Sequence, residues 1–330
     1  MQTIVDIVSV ERSSWQQLLW SSSVATWWQS PACYDWLLRC QSDITPLGAG
    51  IMRGDRLVGL VLGYITHSRY SIVQRFSARM IINGGPLLAP DITTDELIAL
   101  LSSITAKTNA IYLESRNFRD YTPWRETFER VGWNYCSHYD VWATIDEHWR
   151  ERMHESKVRK VKNVLPTCTI RALDYAPECE TEFDAWYQLL SNLYRNKVHR
   201  PLLSRATLLL AWQSGMTLLL VYNQSPTSSL SEGQGANLLG GVLLPHDTQW
   251  AYEYYICGTT VVTYAMMEWC ERQGIRCLDM MGAGEPDVAY GVRDFKLHMG
   301  GTLHEFGRFL CVRSPFRYRL GKLALRLRKF

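Results

Sequence analysis

The sequence lacks the short motifs that identify the most common catalytic sites. It contains no G-x-x-x-x-G-K-[ST] phosphate loop, no H-E-x-x-H metal motif and no G-x-S-x-G nucleophile elbow. A Gly-Ala-Gly at 282–284 follows a strand pattern, but Pro286 and a polar run intervene before a helix can begin, which argues against a dinucleotide fingerprint. P-loop NTPases, H-E-x-x-H zinc enzymes and α/β-hydrolases are therefore disfavoured.

Cysteine spacing is equally uninformative about metals. The nine cysteines include no C-x-x-C pair, and His148 and His154 lie too far apart to share one helix face as ligands. We therefore expect reduced thiols in a cytoplasmic protein, with no metal site and no tightly bound cofactor.

Long hydrophobic runs are missing as well. The longest, such as LVGLVLGYI at 57–65, are too short to span a membrane, and the first residues carry no basic segment typical of a secretory signal. The sequence therefore predicts a soluble protein.

The alternation of strand and helix patterns predicts an α/β (α+β) protein with an internal duplication. Each half contains an apolar hairpin followed by a strand–helix–strand–helix–strand order, and 330 residues suffice for two domains. We expect a first domain over 1–150, a second over 151–312 that carries the candidate catalytic segment, and a basic amphipathic helix over 313–330.

Basic charge is concentrated in two segments. Residues 150–162 carry a net charge of +4 and residues 313–330 a net charge of +7, whereas the whole chain carries only +3. Such clustering is typical of proteins that contact an anionic partner such as phosphate, nucleic acid or lipid. A solvated helix face is the alternative, and a non-catalytic protein that binds nucleic acid or membrane is a further one.

The segment 278–301, LDMMGAGEPDVAYGVRDFKLHMGG, combines a strand, several turn-forming residues and a short charged helix. Val292, Phe295 and Met299 are spaced as one inward stripe, which leaves Arg293 and Lys296 on the remaining surface. Gly300 and Gly301 are expected to end the helix. Because ligands of open α/β sheets bind beyond the carboxyl ends of strands, this segment is the best candidate for an active site.

The same segment, together with YEYYICG at 252–258 and HESKVRKVKN at 154–163, resembles the FemABX family. The members of this family are peptidoglycan interpeptide-bridge aminoacyltransferases built from two GNAT (N-acetyltransferase) folds in tandem. The resemblance covers most of the chain and is strongest over 149–309. Its most diagnostic element is a Phe-Lys pair followed by a helix-stopping glycine, here Phe295, Lys296 and Gly300.

The resemblance implies transfer of an acyl group to an amine. Lys296 would stabilise the negative charge that develops on the reacting carbonyl oxygen, and Phe295, Gly284 and Gly300 would support it. Candidate substrate-binding residues are spread along the chain: Arg39, Arg195, Lys197, Arg200, Glu253, Tyr254, Tyr290 and Arg293. Of Glu253 and Tyr254, adjacent on one strand, only one is expected to face the cleft.

Two departures from the family leave the donor undecided between aminoacyl-tRNA and acyl-CoA. The chain has no heptad pattern for the coiled-coil arm of tRNA-using members, and it reads YLESRNF where they tend to carry an Asp-Pro. The partners implied are a small-molecule or lipid-linked sugar or peptide acceptor and tRNA. Transfer from acetyl-CoA to an amino sugar or another small amine is the alternative activity.

The last segment, FRYRLGKLALRLRKF, has its own pattern. Five apolar residues lie at helical spacing, and basic residues occupy the other side; the apolar residues are Phe316, Leu320, Leu323, Leu327 and Phe330. Such a helix either packs its stripe on the domain, the interpretation we favour, or lies on anionic lipid at the inner face of the membrane.

Overall fold

A computed structural model of the protein describes residues 2–40, 44–66, 78–199, 201–224, 237–258 and 260–327. The chain divides into two compact units: Met1–His138 with Glu305–Phe330, and Tyr139–His304. The sequence-based boundary at residue 150 differs from this division, and the end of the chain returns to the first unit instead of following the second. Within the described residues, no helix combines the length and the apolar character that crossing a membrane requires.

The elements follow the alternation that the sequence predicts. In chain order the strands are β1 (Gln2–Asp6), β2 (Ile44–Arg53), β3 (Arg56–Thr66), β4 (Arg79–Asn83), β5 (Leu87–Leu88), β6 (Tyr112–Arg116), β7 (Asn134–Cys136), β8 (Tyr139–Thr144), β9 (Cys168–Leu173), β10 (Thr217–Asn223), β11 (Leu238–Leu244), β12 (Trp250–Tyr252), β13 (Tyr255–Cys257), β14 (Cys277–Gly282), β15 (Thr302–Glu305) and β16 (Arg308–Val312). The α-helices are α1 (Arg12–Ser21), α2 (Pro31–Arg39), α3 (Thr94–Ala106), α4 (Arg125–Arg130), α5 (Glu155–Val164), α6 (Glu180–Leu193), α7 (Arg205–Gln213), α8 (Thr260–Arg272), α9 (Gly291–His298) and α10 (Pro315–Leu327).

In the described part of the first unit, eight strands form one mixed sheet. Seven of them lie in the order β1-β2-β3-β4-β6-β16-β7, with β5 also paired to β3, and β4 and β6 run parallel. The predicted hairpin of β2 and β3 is confirmed, and its Gly54 has a φ of 59° that favours glycine in the turn. Residues 57–64 of β3 are buried on both faces of the sheet, which explains their continuous apolar run.

The second unit contains two four-stranded sheets among its described residues, β13-β11-β10-β9 and β12-β14-β8-β15. β12 pairs in parallel with β14 through Tyr252 and Asp279, whereas β13 pairs antiparallel with β11. Only Glu253 and Tyr254 separate β12 from β13, so one run of chain leaves one sheet and enters the other. We call this place, where residues 252–255 part from residues 279–282, the fork.

Packing of α8 and α9 against the sheets of the second unit holds the fork in place. The buried face of α8, which includes Val262 and Met266, lies in the same apolar core as Met280 of β14. Met299 is fully buried in this core, and Phe295 packs against it. Phe295 and Met299 therefore fix α9 beside the end of β14.

Candidate active site

The fork contains four buried ionisable side chains. Lys296 comes from α9, Glu253 from the link between β12 and β13, Asp279 from β14 and Asp140 from β8; none is more than 9% exposed. Charged groups are rarely buried to this extent unless they are paired. All four lie within the second unit.

Lys296 is held by the end of β14. Its Nζ donates to the carbonyl oxygen of Met280 and, at 3.2 Å each, to those of Met281 and Gly282. The same Nζ lies 3.8 Å from Oε1 of Glu253. Three carbonyl acceptors match the three N–H donors of an ammonium group, so the positive charge is fully solvated by protein.

A local change of backbone conformation lets three consecutive carbonyls reach one ammonium. Successive carbonyls of an extended strand alternate in direction, but Met281 adopts a left-handed conformation with a φ of 65°. Its N–H donates to Oδ1 of Asp279 at 2.7 Å, which ties this turn to the strand. The strained residue therefore lies at the lysine-binding end of β14.

The predicted inward stripe of α9 is partly wrong. Val292 is 45% exposed, whereas Lys296, which the pattern placed on the surface, is only 4% exposed and faces inward. Hydrophobic patterning assigns lysine to the solvent face, but the carbonyls of β14 and the carboxylate of Glu253 compensate its burial here.

Two of the three carboxyl groups near this lysine, Asp140 and Glu253, have raised pKa values. Burial, followed by the negative charge of Asp279, raises the pKa of Asp140 well above its usual range, despite the opposing effect of Lys296. Burial also raises the pKa of Glu253 to about 6, although the charge of Lys296 lowers it in part. The fork therefore holds a carboxyl group that changes its protonation state just below neutral pH.

Only one of the two carboxylate oxygens of Glu253 faces Lys296. Oε1 faces Lys296, while Oε2 is buried and accepts no hydrogen bond from the described residues. Tyr254 is half-buried and its ring packs edge-to-face on Tyr255, with ring centroids 4.5 Å apart. Of the two adjacent candidates, Glu253 is therefore the one beside Lys296.

Arg293 and Tyr290 lie in the segment that leads into α9. The guanidinium of Arg293 donates to the carbonyl oxygens of Glu285 at 3.0 Å and Val288 at 2.5 Å, and it lies over the ring of Tyr139. Tyr290 occupies the N-cap position of α9. These contacts close the turn between β14 and α9, so the structure gives Arg293 an intramolecular role that the sequence did not predict.

Two glycines are required by the backbone on either side of α9. Gly284 has a φ of 84°, and a Cβ there would lie 3.0 Å from the ring of Tyr290. Gly300 has a φ of 91° and ends the helix, where a Cβ would lie 3.2 Å from the backbone of Arg152. A side chain at either position would therefore strain the backbone next to α9.

The remaining predicted substrate-binding residues do not join the fork cluster. Arg39 is exposed at the end of α2 in the first unit. Arg195 and Lys197 are exposed in a π-helical turn that follows α6 and ends at His199, whose φ is 52°. Arg200 lies outside the described residues.

Sequence reasoning missed Asp140 and Asp279. Each is an acidic residue inside a strand whose neighbours are mostly apolar, DVWA and LDMM. An acidic residue in a buried strand pattern is unusual, and this signal alone would have marked both positions as candidates.

The comparisons with known proteins identify the fold. No protein-family model and no curated protein matches the chain. The crystal structure of FemX superposes on it with a TM-score of 0.69 at 12% identity, covering 97% of this chain and 99% of that one. A tandem GNAT protein from the clavulanic acid biosynthesis pathway gives 0.56 at 9% identity, covering 94% and 98%.

A third structure is similar over the same extent. The C-terminal domain of a putative lysylphosphatidylglycerol synthetase from Agrobacterium fabrum gives a TM-score of 0.57 at 8% identity, covering 94% of both chains. The chain therefore has a tandem GNAT fold. More particularly, this fold is FemABX-like, as the resemblance predicts, and it extends over nearly the whole of FemX.

Proposed function

We propose that the protein is an acyl- or aminoacyltransferase that acts on an amine of a peptidoglycan or surface-polysaccharide precursor, with the fork as its active site. The observation that carries this proposal is the buried pair of Lys296 and Glu253 at the place where the two sheets of a FemABX-like fold separate. A buried carboxyl group whose pKa is shifted beside a specific charge partner, as that of Glu253 is beside Lys296, is typical of catalytic sites.

In the proposed reaction the acceptor amine attacks the carbonyl carbon of the activated acyl group. The new C–N bond forms as the carbonyl π electrons move onto oxygen. Collapse of this oxyanion breaks the C–O or C–S bond of the donor, and the leaving alcohol or thiol takes up the proton that the amine has lost. Lys296 stabilises the oxyanion, a contribution of about 3–4 kcal/mol for one well-placed donor. To contact Nζ, the oxyanion must replace one of the three carbonyl oxygens that Nζ now binds. The carbonyl oxygens of Met281 and Gly282 are the candidates for replacement, because these two residues are only half-buried.

Glu253 is proposed to accept the proton that the amine loses. Its pKa of about 6 leaves it ionised at neutral pH yet basic enough to take a proton, and its free Oε2 offers the acceptor site. Lys296 keeps the carboxylate charged in spite of its burial. In this proposal Glu253 is the general base, and Lys296 provides the electrostatic stabilisation of the oxyanion.

Arg195, Lys197 and Arg200 of the second unit are proposed to bind the phosphates of the acceptor. Arg39 of the first unit is proposed separately as a phosphate-binding residue. The described members of this set, Arg39, Arg195 and Lys197, are exposed. Charge-assisted contacts of arginine with phosphate are strong enough to position such an acceptor.

The test is acyl transfer by Lys296→Met, with Lys160→Met as the matched control because Lys160 is an exposed lysine on α5. Aminoacyl-tRNA and acetyl-CoA are supplied as donors, and UDP-linked muropeptides as acceptors. We expect Lys296→Met to lower turnover by roughly a hundredfold or more and Lys160→Met to leave it unchanged. A folded Lys296→Met protein with normal turnover would remove Lys296 from the mechanism.

The donor is decided by a thermal-shift series with the unmodified protein. A ligand that binds the native state raises the melting temperature in proportion to the logarithm of its concentration over Kd. Stabilisation by charged tRNA supports aminoacyl transfer, and stabilisation by acetyl-CoA supports the alternative activity. Absence of both stabilisation and transfer would contradict the proposed enzyme class.

A further inference from the structure

Helix α10 exposes its apolar side. Phe316, Leu320 and Leu323 are 73%, 39% and 53% exposed. The sequence-based preference for packing this stripe on the domain is therefore wrong for these three residues. Leu327 and Phe330, the rest of the predicted stripe, fall outside the side chains that the structure describes.

The helix is attached to the first unit by its opposite side. The ring of Tyr318 packs edge-to-face on Tyr112 with centroids 5.1 Å apart. The N–H groups of Arg313 and Ser314 donate to the carbonyl oxygen of Ile111 at 2.9 and 3.2 Å and so fix the start of the helix. At about 100° per residue, Tyr318 lies roughly 200° around the helix from Phe316, so docking through Tyr318 turns the apolar stripe outward.

Cations border the exposed stripe. By the same helical spacing, Arg317 lies roughly 100° to one side of Phe316 and Arg319 roughly 60° to the other, and both are exposed. Lys322 lies nearer the docked side, with Nζ 5.4 Å from the ring centroid of Tyr318. Residues 313–330 contain no acidic side chain.

From this arrangement we infer that α10 is a membrane-surface docking element that lies flat on an anionic lipid leaflet. The apolar stripe enters the boundary between head groups and acyl chains, while Arg317 and Arg319 pair with anionic head groups on either side. Charge complementarity favours an anionic lipid surface over a second copy of the chain. Two copies of α10 would repel each other, because the charged side chains of residues 313–330 are all basic. The inference concerns a surface of the first unit and does not rest on the proposed function.

The experiment measures binding of the full chain to vesicles of phosphatidylcholine with and without phosphatidylglycerol, by co-sedimentation over a salt series. We expect binding only to the anionic vesicles, weakened as salt is raised. Phe316→Ser/Leu320→Ser and, separately, Arg317→Gln/Arg319→Gln should each weaken binding by roughly tenfold or more. Since all four side chains are exposed, the melting temperature should stay unchanged.

Trp20→Ser is the matched control, because Trp20 is an apolar side chain 78% exposed on another helix of the same unit. It should bind vesicles as the unmodified protein does. Absence of binding by the unmodified chain, or equal loss in Trp20→Ser, would overturn the inference. So would self-association that Phe316→Ser abolishes in a protein that binds no vesicles, since a second copy would then cover the stripe.

Discussion

Oε1 of Glu253 and Nζ of Lys296 lie 3.8 Å apart, and their side chains are only 8% and 5% exposed. A buried ion pair of this kind is a poor source of stability, because removing both charges from water costs about as much as their attraction returns. Its position at the fork, with one buried carboxylate oxygen that accepts no hydrogen bond from the described residues, instead favours a catalytic function. The contribution of the pair can be measured through protein stability, through its pH dependence and through the reaction rate.

Removing only Lys296 should destabilise the protein more than removing the charges of both Lys296 and Glu253. Lys296→Met leaves Glu253 without its cation and three carbonyls of β14 without a donor, and we expect a loss of about 3–5 kcal/mol in the free energy of unfolding. Adding Glu253→Gln should recover part of this loss. Denaturant unfolding of the two single variants and the double variant measures the coupling, with Lys160→Met expected within about 0.5 kcal/mol of the unmodified protein. Strict additivity would show that the two side chains are not coupled.

Glu253 should make stability fall as pH rises. Its pKa is about 6 in the fold against an ordinary value of 4.5, so between these values the folded protein holds the proton that the unfolded chain releases. This stabilisation of the folded protein amounts to about 2 kcal/mol. It is fully present below pH 4.5 and is lost as the pH rises through 6. Comparing the unfolding free energies of the unmodified protein and Glu253→Gln across this range isolates the effect. Parallel pH curves would contradict it.

The same group should control the rate. If Glu253 accepts the proton, transfer rises with pH through an apparent pKa near 6, and Glu253→Gln loses this limb together with most of the activity. Initial rates from pH 5 upward, at saturating donor, provide the profile. A Glu253→Gln protein that keeps the same pH limb would assign the titration to another group.

Glu114 should act in the opposite direction in the first unit. It lies between Arg116 and Arg308, 3.2 and 2.5 Å from their guanidinium nitrogens. Burial raises the pKa of Glu114, but these two positive charges lower it to about 2. Its contribution, about 3 kcal/mol, is therefore present above pH 4.5 and is lost as pH falls toward 2.

Glu114→Gln tests this by denaturant unfolding at neutral and acid pH. The difference from the unmodified protein should be largest at neutral pH and should shrink on acidification. Glu129→Gln is the control, because Glu129 forms an exposed pair with Arg125 whose loss should cost at most about 0.5 kcal/mol. Equal effects of the two substitutions would contradict a special role for Glu114.

The two ends of α9 should respond oppositely to alanine. Gly300→Ala forces a side chain into a left-handed conformation against the backbone of Arg152 and should cost about 1 kcal/mol or more. A Cβ at Gly291 meets nothing within 4 Å, so Gly291→Ala should be neutral or stabilising by up to about 1 kcal/mol. Melting temperatures of both variants provide the check, and a destabilised Gly291→Ala would show that the start of the helix is constrained as well.

Local patterns were enough to predict the candidate segment as a strand, a turn, a helix and a glycine stop. β14, α9 and Gly300 confirm these elements, because each depends on residues close together in the chain. The orientation of α9 was not predictable in the same way. Val292 is apolar but faces outward, and Lys296 is charged but faces inward, since the compensating groups belong to β14 and to Glu253.

The sequence by itself determined the alternating α/β order, because this order follows from periodicity. Its resemblance to the FemABX family implied the tandem GNAT fold and the candidacy of Lys296. Only the tertiary structure decided that Asp140, Asp279 and Glu253 surround Lys296, and that α10 turns its apolar stripe to solvent. Both depend on interactions between distant parts of the chain. Burial then sets the pKa values at the fork, and the packing of Tyr318 on Tyr112 sets the orientation of α10.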